Sequence, residues 1–114
     1  MNWEKVKIQN KVIKEVLIEG DEVMFKTEDD ISFRMYHNQD CCECVKIVKH
    51  DNVKELTGCT ILDYQENIAD VSEDSYDSAT KTEFVFQTSK GVWTIEWLGE
   101  SNGYYSESVN FEQQ

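Results

Sequence analysis

The sequence predicts an α+β domain that is mainly antiparallel β, with about six or seven strands and one short helix. Three observations lead there. Residues Ile31–His37 alternate, with Ile31, Phe33 and Met35 on one face and Ser32, Arg34 and Tyr36 on the other, the period of a half-buried strand. The same period returns in Thr82, Phe84, Phe86 and Thr88, and again in Trp93, Ile95 and Trp97. The five glycines, Gly20, Gly58, Gly91, Gly99 and Gly103, fall between such runs, where a residue that tolerates positive φ serves a turn.

Taken in order, Val16-Leu17-Ile18 ends a first strand, and Glu19-Gly20-Asp21 turns it into a second over Glu22–Thr27. Val12, Ile13, Val16 and Leu17 also fit a helical face, but the turn that follows favours a hairpin. Glu28-Asp29-Asp30 is a polar turn into Ile31–His37, and Asn38–Cys44 is a loop. Val45–His50 is a short strand, and Asp51 or Asn52 caps the short helix carrying Val53 and Leu56, closed by Gly58. Thr60–Ile68 is extended, and the acidic stretch Asp70–Thr80 is a loop. Ser89-Lys90-Gly91 joins the next two strands. Ser101-Asn102-Gly103 then predicts a tight hairpin into Tyr104–Phe111. A three-residue loop sets Ile95 opposite Val109 and Trp93 opposite Phe111, which keeps apolar residues on one face. That register requires a bulge at Gly103 or at Gly99.

One domain, residues 1–114, suits this length. Three Trp, five Tyr and five Phe give it a core without staples. The net charge of −12, from 23 acidic and 11 basic side chains, repels phosphate backbones and anionic membrane surfaces, so direct nucleic-acid or membrane binding is not expected. A basic protein partner is compatible with it. No run approaches the ~20 apolar residues of a membrane span, and the first residues hold no leader-like apolar core. The expected location is cytoplasmic, with the four Cys as thiols.

Two polar clusters could carry chemistry. The first is Tyr36-His37-Asn38-Gln39-Asp40-Cys41-Cys42-Glu43-Cys44. Cys41 and Cys44 have C-x-x-C spacing, and Cys59 is a further thiol, with His37, Cys42 and His50 as supplementary zinc ligands. A structural zinc site needs a second well-spaced pair, which the chain lacks, so no metal or other cofactor is expected. The acidic neighbours Asp40 and Glu43 would raise a thiol pKa and so disfavour a cysteine nucleophile. The second cluster is Gly99–Glu107, where Tyr104 and Tyr105 offer flat amphipathic faces beside Ser101 and Asn102. There is no P-loop, G-x-G-x-x-G, H-E-x-x-H or G-x-S-x-G motif.

At these clusters the chain resembles an uncharacterised domain family of bacteriophage and bacterial genomes. The resemblance rests on a YHxQDCCE strand end, the Leu56–Ile61 segment and a WxGxSNGYYSExV stretch, and runs from Ile31 to Phe111. Cys44 departs from the pattern. The resemblance brings no activity. It implies a mobile-element setting and two distant polar motifs that converge on one site.

The expected function is therefore a non-enzymatic binding or inhibitory protein that counteracts host defence. One form sequesters a small, nucleotide-like ligand at His37, Gln39, Asp40, Ser101, Asn102, Tyr104 and Tyr105. Another is an acidic inhibitor that mimics nucleic acid before a basic host protein. A small hydrolase using His37 with Asp40 is the remaining alternative. Exposed strand edges also allow a homodimer.

Overall fold

A computed structural model describes residues 6–39, 43–72, 78–102 and 106–114. Among the described residues eight strands form two four-stranded antiparallel sheets. β1 (Ile13–Glu19), β2 (Glu22–Thr27), β3 (Ser32–Tyr36) and β8 (Asn110–Gln113) make one, in that spatial order. β4 (Cys44–His50), β7 (Gly91–Ser101), β6 (Ser78–Thr88) and β5 (Ile61–Asp70) make the other, in the order β4-β7-β6-β5. Both sheets supply the same core, as expected of a two-layer β domain.

The alternation seen in the sequence sets the faces. Phe33 and Met35 on β3, Phe84 and Phe86 on β6, and Trp93, Ile95 and Trp97 on β7 are all buried. Phe111 of β8 sits among Phe25, Phe33, Tyr64, Phe84 and Phe86, with ring centroids 5.3–6.4 Å away. Buried aromatic pairs at such distances contribute roughly 0.5–1.5 kcal/mol each beyond their burial. The Trp97 indole N–H points at Met35 Sδ, 3.2 Å away, and so joins the two sheets.

Three expectations are corrected. The short helix is a three-residue 3₁₀ turn, Val53–Glu55, so the fold is mainly β rather than α+β. Asn52 does cap it, accepting from the Lys54 N–H, but Gly58 at φ 83° stops the chain before a helical turn can repeat. The acidic loop is shorter than expected, because Ser78–Thr80 already belong to β6; residues 73–77 lie outside the described residues.

The third correction is topological. β7 pairs with β6 on one edge and β4 on the other, and a strand has only two edges, so no hairpin with the C-terminal segment can form. β8 crosses to the other sheet, where Met35 faces Phe111 and Tyr36 faces Asn110. Ile95 faces Phe84 and His50 instead of Val109. No bulge occurs at Gly99, which stays in register with Thr80 and Val45; Gly103 lies outside the described residues.

The sheets differ in length. β5, β6 and β7 have 10, 11 and 11 residues, against 7, 6, 5 and 4 for β1, β2, β3 and β8. At about 3.3 Å per residue the longer sheet overhangs the shorter one. Among the described residues no helix is long and apolar enough to cross a membrane.

Candidate functional site

Four connections gather at the overhanging end. Glu22 faces Tyr36, Tyr36 faces Asn110, Cys44 faces Glu100, and Ser78 faces Ser101. The β1–β2 turn, the β3–β4 loop, the β5–β6 tip and the β7–β8 crossing therefore share one pole of the molecule. Both polar clusters of the sequence lie there.

Histidine 37 is the point where they meet. Its Nδ1 lies 2.7 Å from the Ser108 carbonyl oxygen and its Nε2 lies 3.1 Å from Glu43 Oε2. The side chains of His37 and Glu43 are only 4% and 2% exposed. A carbonyl oxygen only accepts, so Nδ1 carries a hydrogen. The contact at Nε2 then holds one further proton, on the ring or on the carboxyl. With both ring nitrogens engaged, His37 fastens the β3–β4 loop to the segment that leads into β8.

Gln39 is exposed, and its amide donates to the Val45 carbonyl at 3.0 Å, folding the loop back on β4. Tyr36 donates to Glu112 at 2.7 Å, and the Arg34 guanidinium lies 3.8 Å over the Tyr36 ring while pairing with Glu22 at 2.8 Å. A hydrogen bond to the Glu112 carboxylate raises the Tyr36 pKa, with desolvation acting the same way.

The second cluster is organised around a residue the sequence reading passed over, Glu107. Its carboxylate accepts from Ser101 Oγ and from Thr80 Oγ1, the latter at 2.7 Å. Burial alone would raise its pKa, but hydrogen bonds from Ser101, Thr80 and Ser78 together outweigh burial and hold the group below its usual value. Gly99 makes this possible. A Cβ there would lie 2.6 Å from the Glu107 carbonyl oxygen and 2.8 Å from its Cβ, so the crossing segment can lie on β7 only where no side chain stands. Val109 follows and is buried. These residues form a clamp, with Trp97 and Val109 in the core, Gly99 as seat, and Ser101 with Glu107 as closure.

Of the candidate site residues, His37 and Gln39 stand on the β3–β4 loop, and Ser101 and Asn102 at the end of β7, all at the same pole. Asp40, Tyr104 and Tyr105 lie outside the described residues, as does Cys41. Cys44 is exposed and faces Glu100, near one end of β7. Cys59 is buried near the other end, beside the Thr60–Ser89 contact, with its thiol directed at the Glu55 carbonyl. Roughly 30 Å of strand separates these ends, so the two thiols cannot share one ion. Among the described residues no group of three His, Cys, Asp or Glu is placed to hold a metal. Glu43 and Glu107 carried no usable signal, since a chain with 23 acidic residues makes carboxylates indistinguishable by type.

No curated protein and no solved structure matches the chain. One family model does, over residues 6–111, a longer span than the Ile31–Phe111 of the resemblance. The chain therefore belongs to the domain family of unknown function DUF7448.

Proposed function

We propose that this protein is a non-enzymatic binding protein whose partner is a basic protein, docked through its acidic outer surface. The observation that carries this reading is how its polar groups are used. His37, Glu43, Gln39, Ser101 and Glu107 are spent on bonds that fasten the protein's own segments. Glu15, Glu19, Asp21, Glu28, Asp30, Glu66 and Asp70 are instead exposed on a chain of net charge −12. Such a surface steers a basic partner and repels most others. In the mobile-element setting that the resemblance implies, the partner is a host protein and the effect is inhibition.

The test is capture on immobilised protein at low and at high salt, with native mass spectrometry of the purified protein alongside. The reading expects a stoichiometric complex with a basic protein, released as salt rises. A purified protein that carries one equivalent of a small molecule, and forms no salt-sensitive protein complex, would overturn it in favour of ligand sequestration.

A further inference from the structure

Strand β5 changes character along its length. Ile61 and Tyr64 are buried, whereas all six residues from Gln65 to Asp70 are exposed. Its register with β6 sets Glu66 opposite Phe84, Ile68 opposite Thr82 and Asp70 opposite Thr80. Phe84 and Thr82 face the core, so Glu66, Ile68 and Asp70 stand on the inner face of the sheet, on the part that the shorter sheet does not cover. Ile68 is 62% exposed there.

Among the described residues the backbone edge is open over the same six residues. Near the start of β5 the edge is taken, by Asn10 donating to the Ile61 carbonyl and Ile61 donating to the Lys11 carbonyl. From Gln65 to Asp70 no backbone bond among the described residues reaches it, since β5 lies at the margin of the order β4-β7-β6-β5. Six residues span roughly 20 Å, a full strand's length.

Charge selects what can pair there. This stretch carries Glu66 and Asp70 and no basic residue. The neighbouring inner-face positions of β6 are Ser78, Thr80, Thr82 and Phe84, so no cation of β6 answers them on that face. Lys81 is on the opposite face, paired with Glu96 at 3.2 Å. An inward-facing carboxylate on an edge strand is a device against indiscriminate pairing. A second copy of this strand would bring carboxylates against carboxylates, whereas a basic strand would bring cations.

We infer that the Gln65–Asp70 edge of β5 is a docking site for an extended basic segment of a partner protein, which adds to the sheet as a strand and sets lysine or arginine against Glu66 and Asp70. The inference rests on the protein-binding function proposed above and names where and how that binding occurs. Main-chain bonds to the open edge supply affinity, the exposed Ile68 takes an apolar side chain between the cations, and the carboxylates supply specificity.

The probe is an eight-residue peptide that repeats lysine-threonine-valine-threonine, so that lysine and valine alternate along one face of the strand, compared with its counterpart carrying glutamate in place of lysine. Binding is followed by fluorescence anisotropy, and hydrogen exchange follows the amides of residues 65–70. The lysine peptide should bind in a salt-sensitive way and slow exchange in Gln65–Asp70, while the glutamate peptide should not bind. Methylating alternate backbone nitrogens of the lysine peptide should abolish binding, which charge attraction alone would not require. Glu66→Lys should weaken binding by about tenfold or more, and Glu55→Lys, the same charge change at an exposed position of the 3₁₀ turn, should leave it nearly unchanged. Equal loss with both variants, or undiminished binding of the methylated peptide, would overturn the edge site. So would self-association through residues 65–70, which would make a second copy the occupant. If salt-sensitive capture of a basic protein persists with Glu66→Lys, the general function stands and this site falls; if wild-type protein captures no basic protein, the function itself falls.

Discussion

The two halves of the β5–β6 hairpin are built from the same pair of strands and meet opposite fates. In one half, Tyr64 stacks on Phe86 with centroids 5.7 Å apart, and Phe25 and Phe111 of the other sheet close over them. In the other half, Ile68 and Thr82 keep the same antiparallel register, but the β5 side lies bare. The backbone geometry is continuous across the boundary. What changes is whether another layer stands opposite, so burial here is a property of strand length in the facing sheet. Where the overhang belongs to β6 and β7, the crossing segment takes the place of a sheet: Glu107 sits on Gly99 and gathers the hydroxyls of Thr80 and Ser101.

This contrast can be pressed at positions of decreasing weight. Phe86→Ala empties the covered half and should cost about 3–5 kcal/mol in urea unfolding. A loss below about 1 kcal/mol would mean that the aromatic layer is not what holds the sheets together. His37→Leu removes the ring that ties Glu43 to Ser108 and should cost about 2–3 kcal/mol, since two nearly buried polar contacts are lost at once. Amide exchange in residues 106–109 should accelerate in the same variant. Gly99→Ala forces a methyl against the Glu107 backbone and should cost about 1–3 kcal/mol; a neutral result would show that the clamp yields freely.

Glu107→Gln should cost about 1 kcal/mol near neutral pH and should flatten part of the acid dependence. The sign follows from the lowered pKa in the folded protein. Ionised Glu107 adds stability above its ordinary titration range, and that increment is lost as pH falls through the lowered folded value. The difference between wild type and variant should therefore shrink on acidification, as read by thermal melts from neutral pH downward. Ile68→Thr, on the bare half, should change stability by less than about 0.5 kcal/mol. A larger loss would show that something covers that face in solution.

Much of this fold was legible from local pattern. β2 spans Glu22–Thr27, as the turn at Gly20 predicts, and the buried faces of β3, β6 and β7 follow their alternation. Alternation reports which residues face inward, but not which sheet receives the strand. Phe111 is apolar in either topology, and the Asn-Gly signal is a statement about four residues, so the crossing of β8 was beyond local reading. The overhang was hidden for a related reason, because it depends on comparing the lengths of strands that never pair. The contact of His37 with the Ser108 carbonyl joins the β3–β4 loop to the crossing segment across 71 residues. The roles of Glu43 and Glu107 depend on hydroxyls and a ring brought from 6 to 27 residues away, which no spacing rule encodes.

The crossing of β8 also dictates an order of assembly. β1, β2 and β3 follow one another through short turns and can pair as soon as they emerge. The fourth place in their sheet stays vacant until the last strand arrives, about seventy-five residues later, when Phe111 reaches Met35. Until then Phe25, Phe33 and Phe86 lack the ring that packs against all three. A nascent chain stopped short of β8 would be a partly closed shell with exposed aromatic residues, prone to associate with its neighbours. Closure of the two sheets should therefore wait for β8, with its kinetics tracking the arrival of Phe111 rather than the formation of any hairpin.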